Sequence, residues 1–288
     1  MICLTGDVHH SSLGTNDQRY LDPARDSEAR IAARCVKLAE QFGLKVTLYV
    51  TGRTLVEEWR DFQSVAASAA VELGGHTYGG LPQTRWKKLW YRLRGVRPPS
   101  HCRTQGSRRS QRRDMRRSVE TIRRFTGRQV IAWRSHGLVY DRHTGPLLAE
   151  AGIRLISDEI SVTRLRPVRT ADGLLSHPIN VLPDHDHLFH AHRDERFVAQ
   201  ARLRGYGTDA FGCQSYGVEA WGEIVQEQVT RIEAQDGVAT VLMHPVCQFL
   251  ADDLRTAAKL FEFFARHETV WASDLLNLGE AGSRALGG

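Results

Sequence analysis

The 288-residue sequence predicts an α/β fold in which strands and helices alternate around a parallel sheet. Three observations predict it. Short apolar runs recur along the chain, each followed by a polar or glycine-containing turn and then by apolar residues at helical spacing. Neither G-x-G-x-x-G nor G-x-x-x-x-G-K-[ST] occurs, so the fingerprints of a nucleotide-binding open sheet are missing. No low-complexity linker divides the chain. Between an open doubly wound sheet and a barrel, this favours one barrel-like domain over residues 1–288 with decorated loops.

Residues 2–5 read as the first strand, and 6–22 as a long polar loop. Residues 27–42 carry Ala29, Ala32, Val36, Ala39 and Phe42 at helical spacing, and Gly43 stops the helix. A strand is predicted at 45–50, a helix at 54–60, an ambiguous helix at 61–70 and a third strand at 71–73. A basic, proline-containing excursion follows at 81–106. The helix at 107–126 should turn Met115, Val119, Ile122 and Phe125 inward, with Gly127 as its stop. Strand 130–133, helix 140–151, strand 153–156 and a strand-rich stretch at 173–182 come next. The chain then reads as helix 215–234, strand 239–243, helix 252–267 and a last strand at 269–272.

Hydrophobic residues at 41% and charged residues at 25% exclude a disordered chain, a collagen or a coiled-coil rod. No apolar run approaches the length of a bilayer span, and the first residues lack the basic and apolar regions of a secretory signal. A cytoplasmic protein is therefore expected. Five cysteines without a CxxC give poor support to a disulfide scaffold or a zinc–cysteine cluster. The net charge of +6 is local, because residues 85–128 alone hold 16 Lys/Arg against 2 Asp/Glu. The basic insertion and helix at about 81–128, with Trp86, Trp90 and Tyr91, can bind an acidic polymer. A solvated helix face explains the charge equally well, and no nucleic-acid-binding motif accompanies it, so no nucleic-acid partner is expected.

In a parallel barrel the C-terminal strand ends share one mouth. Polar clusters sit at these ends: Asp7-Val8-His9-His10, His76-Thr77-Tyr78, Arg134-Ser135-His136, Ser157-Asp158-Glu159 and His244-Pro245. Asp7 and His9 project to one side of an extended segment, so that one can bind a metal while the other handles a proton. His10 points elsewhere, behind any ligand set. His76 follows two glycines that permit a tight turn or close backbone approach. Arg134 can hold the Asp7 carboxylate in a charge-assisted hydrogen bond. His244 can serve as a general acid. The run from Pro183 to His192 has four histidines, His185, His187, His190 and His192, which can supply a metal ligand, touch substrate or form a hydrated loop.

Thr5-Gly6-Asp7-Val8-His9, the segment 45–52, Gly75-His76-Thr77-Tyr78, Trp133-Arg134-Ser135 and Leu242-Met243-His244-Pro245 occur in the order and spacing of known motifs. In these features the chain resembles the polysaccharide deacetylase, or NodB-homology, family. The resemblance implies a distorted (β/α)7 barrel, a divalent metal (most often Zn2+) and hydrolysis of an amide on an N-acetylated sugar or a related small amide. It implies that Asp7 is the base, His244 the general acid, Arg134 the residue holding Asp7, and His9 and His76 metal ligands. Two departures stand out. His9 occupies the usual place of an aspartate ligand, and Gly80 stands where a second histidine normally follows the first by four residues. Asp7 itself or the stretch from His185 to His192 is then the alternative source of a third ligand. A catalytically inactive, carbohydrate-binding barrel is the competing expectation.

Overall fold

The structure is a computed structural model that describes residues 1–80, 93, 106–203 and 208–278. Most of the predicted excursion at 81–106, with Trp86, Trp90 and Tyr91, lies outside the described residues, as does Tyr206.

The strands are β1 (Ile2–Val8), β2 (Val46–Val50), β3 (Val71–Gly75), β4 (Ala132–Trp133), β5 (Leu155–Ile156), β6 (Val168–Arg169), β7 (Leu175–Ser176) and β8 (Ala239–Leu242). Among the described residues they form one sheet in the order β6-β7-β5-β4-β3-β2-β1-β8. All pairings are parallel except β6 with β7. The sheet is curled but incomplete, a half-barrel of the distorted (β/α) type, with helices on its outside.

The helices are α1 (Glu28–Gln41), α2 (Gly52–Glu57), α3 (Trp59–Ala67), α4 (Arg108–Thr126), α5 (Thr144–Glu150), α6 (Asp184–His187), α7 (Glu195–Leu203), α8 (Val218–Glu233), α9 (Pro245–Asp252) and α10 (Arg255–Phe264). Ser27 caps α1 by accepting from the Arg30 N–H, and Gly43 ends it at φ +67°. On α4 the buried face is Gln111, Met115, Ser118 and Ile122, while Val119 and Phe125 are only half-buried. Its outer face carries the arginines, two of which, Arg112 and Arg116, pair with Glu150. Over 106–128 the basic run is thus the solvated side of one amphipathic helix.

Register decides what meets at the sheet's C-terminal edge. Thr5 pairs with Leu242, so Asp7 and His244 each stand two residues beyond a matched pair. Val50, Gly75 and Trp133 are aligned across β2, β3 and β4, and Trp133 aligns with Ile156 of β5. His76, Arg134 and Ser157 therefore follow side by side. Gly74 and Gly75 lie within β3 rather than in a turn. A Cβ on Gly74 would stand 2.5 Å from the Tyr49 ring, and one on Gly75 2.4 Å from the Trp133 ring. Both rings are fully buried and fill the space that side chains would need.

The structure corrects several expectations. The two helices expected at 54–60 and 61–70 are present, but they divide at Glu58 rather than after Arg60. The stretch 173–182 holds only β7 and a bridge between Ile160 and Ile179. The predicted last strand at 269–272 is a single bridge from Thr269 to Ile2. The chain leaves the sheet there because the Trp271 N–H donates to the Asp274 carboxylate and a 3-10 turn begins. Helices α7 and α9 lie in segments for which the sequence pattern predicts no element. In α9, Pro245 occupies the first turn, where its missing N–H removes no helical bond.

Candidate active site

Strand β1 delivers Asp7, strand β3 His76, strand β4 Arg134 and strand β8 His244 to one pocket-sized space. Asp7 Oδ2 lies 3.8 Å from His76 Nε2 and 3.5 Å from His244 Nε2. Its other oxygen, Oδ1, accepts from Arg134 Nη1 at 2.9 Å. Asp7 is 5% exposed and Arg134 is fully buried, so this is an interior ion pair. Such a pair is tolerated only when its remaining hydrogen-bonding groups are satisfied. Arg134 Nη2 donates to Thr5 Oγ1 (2.9 Å) and Ser157 Oγ (2.8 Å), and Nε donates to the Ser157 carbonyl. The guanidinium also stacks over the Tyr49 ring at 4.3 Å. Thr5, Ser157 and Tyr49 had no assigned part in the sequence reading.

His9, His76 and His136 form a buried cluster whose ligand atoms all lie within 4.8 Å of one another. His9 Nε2 and His76 Nε2 are 3.2 Å apart, and His136 Nδ1 is 3.2 Å from His76 Nε2. The partners of the first two rings fix their tautomers. His9 Nδ1 donates to Glu28 Oε2 at 2.9 Å, and His76 Nδ1 donates to the Arg134 carbonyl at 2.8 Å. Neither acceptor can donate in return. Burial, opposed by Asp7, pushes His76 down to about 3, so it is neutral at ordinary pH. The Nε2 atoms of His9 and His76 face each other across 3.2 Å. A tetrahedral ion with bonds of ~2.0 Å sets its ligand atoms about 3.3 Å apart. The cluster therefore fits a divalent metal, and Glu28 and the Arg134 carbonyl orient two of its three rings.

His136 is the ligand-type residue that the sequence reading did not assign. It lies two residues after Arg134, inside a strand-end cluster that was noticed. It was passed over because the familiar spacing looks for a second histidine four residues after His76. That place belongs to Gly80, whose φ is +79° and whose Cβ would meet Leu13 at 2.7 Å. A histidine there would be strained before it could ligate. The chain reverses after His76 through Thr77, at φ 64°, with its carbonyl held by Gly52 N–H and Ser118 Oγ.

His244 is held by a residue that sequence reasoning placed elsewhere. Its Nδ1 donates to Asp184 Oδ1 at 2.7 Å and its backbone N–H donates to Asp184 Oδ2 at 2.6 Å. Burial lowers His244, but Asp184 and Asp7 outweigh it and hold the imidazole well above its ordinary value. Burial likewise raises Asp7, but His76, Arg134 and His244 keep its carboxyl well below the usual range. An ionised carboxylate thus faces a protonated imidazole across 3.5 Å.

The stretch from His185 to His192 does not reach the three-histidine cluster. Asp184 to His187 is a helical turn. Asp184 turns to His244, His187 binds Asp209 (3.0 Å), and His190 and His192 face Asp17. His10 Nδ1 shares a hydrogen bond with Thr51 Oγ1 at 3.0 Å, and burial pushes it down to about 4. Asp158 accepts from Ser135 N–H and Oγ and so fixes the loop that carries His136.

A family profile described as "Polysaccharide deacetylase" matches residues 22–156, which include His76, Arg134 and His136. No curated protein matches the sequence. Among solved structures, the fold is similar to one named "putative polysaccharide deacetylase from Mycobacterium smegmatis", at TM-score 0.69 and 17% identity over 98% of this chain and 90% of that one. It is also similar to Puue allantoinase, at TM-score 0.61 and 12% identity over 95% and 88% of the two chains. A mutant of a CE4 family pseudoenzyme aligns at TM-score 0.51 and 15% identity over 96% and 67%. At these identities the likeness is one of fold, and it spans both active and inactive relatives by name. The profile match over residues 22–156, the half-barrel and the ordered strand-end motifs agree, and the chain resembles a divergent polysaccharide deacetylase.

Proposed function

We propose that the protein is a metal-dependent amide hydrolase that deacylates an N-acetylated sugar or a related small amide. The observation that carries this reading is the buried cluster of His9, His76 and His136, with ligand atoms within 4.8 Å of one another, beside an ionised Asp7. His9, His76 and His136 would hold the cation. Neutral imidazole ligands suit Zn2+ among the available divalent ions. Bound there, the metal supplies Lewis-acid polarisation of the acyl oxygen and lowers the pKa of water.

The chain's own groups do the rest. Arg134 fixes Asp7 Oδ1 and leaves Oδ2 facing the space between His76 and His244, where it takes the proton of the attacking water. His244 carries a proton on Nε2 because Asp184 stabilises the imidazolium, and it gives that proton to the departing nitrogen. Base and acid stand on opposite sides of one small gap, as amide cleavage requires. His136 restores the ligand count that Gly80 removes, which favours the active reading over the inactive carbohydrate-binding barrel.

The test is metal content together with acetate release from N-acetylglucosamine oligomers and small acetamides. His136→Ala should lose one metal equivalent and all hydrolysis. Asp7→Asn should keep the metal and lose at least about 100-fold in rate, the lower end of the range for a general base. Metal binding without hydrolysis in the unmodified chain would establish the inactive barrel instead.

A further inference from the structure

Asp17, His190, His192 and Cys247 come together in a second cluster, which adjoins the site already described through Cys247, whose Sγ lies within 4.8 Å of a His244 nitrogen. Asp17 Oδ1 lies 3.3 Å from His190 Nε2 and 3.0 Å from His192 Nδ1. The ligand atoms of Asp17, His190 and Cys247 lie within 4.8 Å of one another, and all three residues are buried. Asp17 is 3% exposed, His190 5% and Cys247 0%.

These atoms are close but unpartnered. Asp17 Oδ1, His190 Nε2 and His192 Nδ1 are each buried without a hydrogen bond among the described residues. Their separations are short enough for one, so it is direction that fails. His190 Nδ1 donates to the Leu188 carbonyl at 2.8 Å, which turns Nε2 toward the Asp17 carboxylate. The backbone is bent to make the arrangement. Ala191, between the two histidines, adopts φ 45°, a conformation that costs a non-glycine residue free energy. Burial raises Asp17, but His190 and His192 outweigh it and keep the carboxylate ionised. The spacings of 3.0 and 3.3 Å match the edges of a tetrahedron around a zinc-sized ion.

We infer that Asp17, His190, His192 and Cys247 form a second, structural site for a zinc-class divalent cation. Carboxylate, imidazole and thiolate together select zinc, cobalt or a similar borderline ion over magnesium or calcium. The burial of Asp17, His190 and Cys247, with His192 against Asp17, is that of a closed site with no place for substrate. Its role follows from what it joins. Asp17 comes from the loop after β1, His190 and His192 from the segment after α6, and Cys247 from the first turn of α9, three residues after His244. An ion there would staple the segment that carries Asp184 to the helix that carries His244. Cysteine arithmetic on the sequence does not reveal the site, because its single thiolate is completed by histidines and an aspartate.

The test is reconstitution of the metal-stripped full chain with Co2+, followed by metal counting and near-ultraviolet absorption. The unmodified chain should take two equivalents and show a thiolate-to-cobalt charge-transfer band. Cys247→Ser should abolish the band, and Asp17→Asn should reduce binding from two equivalents to one. His9→Ala should also reduce binding to one but keep the band, because it empties only the three-histidine site. Absence of the band, a band that survives Cys247→Ser, or a single equivalent that His9→Ala abolishes would overturn the inference. If only the proposed active site fails, the unmodified chain binds one equivalent with the band intact and His9→Ala changes nothing. The anomalous signal of an unmodified crystal reads the same question without any variant.

Discussion

Asp184→Asn isolates one link in the proposed chemistry. The Asp184 carboxylate is fully buried and accepts from three donors: His244 Nδ1 at 2.7 Å, the His244 backbone N–H at 2.6 Å and Gln248 Nε2 at 3.0 Å. Asparagine has one oxygen in place of two. The backbone N–H cannot turn away, so the amide oxygen stays with it and with Gln248. The amide NH2 then faces His244 Nδ1, which must give up its proton and accept. His244 loses the partner that holds its protonated form, and its pKa falls. Loss of one charge-assisted hydrogen bond is worth about 1.5–3 kcal/mol, or roughly 10- to 100-fold in rate if the proton donor limits turnover.

The sign with pH follows from the direction of the shift. A histidine raised in the native state contributes stability that is fully present below its ordinary value of 6.5 and is lost as pH rises through the native value. Asp184→Asn should therefore cost most stability in mild acid and progressively less toward alkaline pH. Ring-nitrogen NMR of the histidines, with His244→Gln to assign the signal, should find a titration displaced upward in the unmodified protein. In Asp184→Asn the displacement should be gone. An unchanged His244 titration in the variant would refute the reasoning.

Two further outcomes are expected. Gly75→Ala puts a Cβ 2.4 Å from the fully buried Trp133 ring. It should cost about 1–3 kcal/mol by overpacking in urea unfolding, and weaken metal retention because His76 is the next residue. Burial pushes the Asp114 carboxyl up to about 6, against the opposing pull of the Tyr78 N–H and Arg117. Its native-state contribution is present below the ordinary value of 3.8 and is lost as pH rises from there to about 6. Asp114→Asn should match the unmodified protein near the lower end of that window and exceed it by about 1–3 kcal/mol above the upper end. Thermal unfolding across pH checks this, and a variant advantage in acid would contradict it.

The sequence was most legible where periodicity and punctuation act locally. Apolar spacing with Ser27 and Gly43 bounded α1, and Met115 and Ile122 with Gly127 oriented α4. Asp7, His76, Arg134 and His244 could be singled out because each follows an apolar run at a predicted strand end. The short strands β4 to β7 were harder, since two residues of strand leave almost no periodicity. Long-range pairing defines them. The helix α9 was hidden in the same way, because its apolar residues face both the sheet and α1.

By itself, the sequence determined the alternating α/β plan and the four strand-end residues, since side-chain type and spacing along the chain encode both. Tertiary structure alone decided who partners them. The alignment of β3, β4 and β5 brings His136 to His76 and Ser157 to Arg134. The turn at Asp184 reaches His244 sixty residues away, and the bend at Ala191 turns two histidines onto Asp17. Such contacts follow from strand register and backbone direction, which no local stretch of residues specifies.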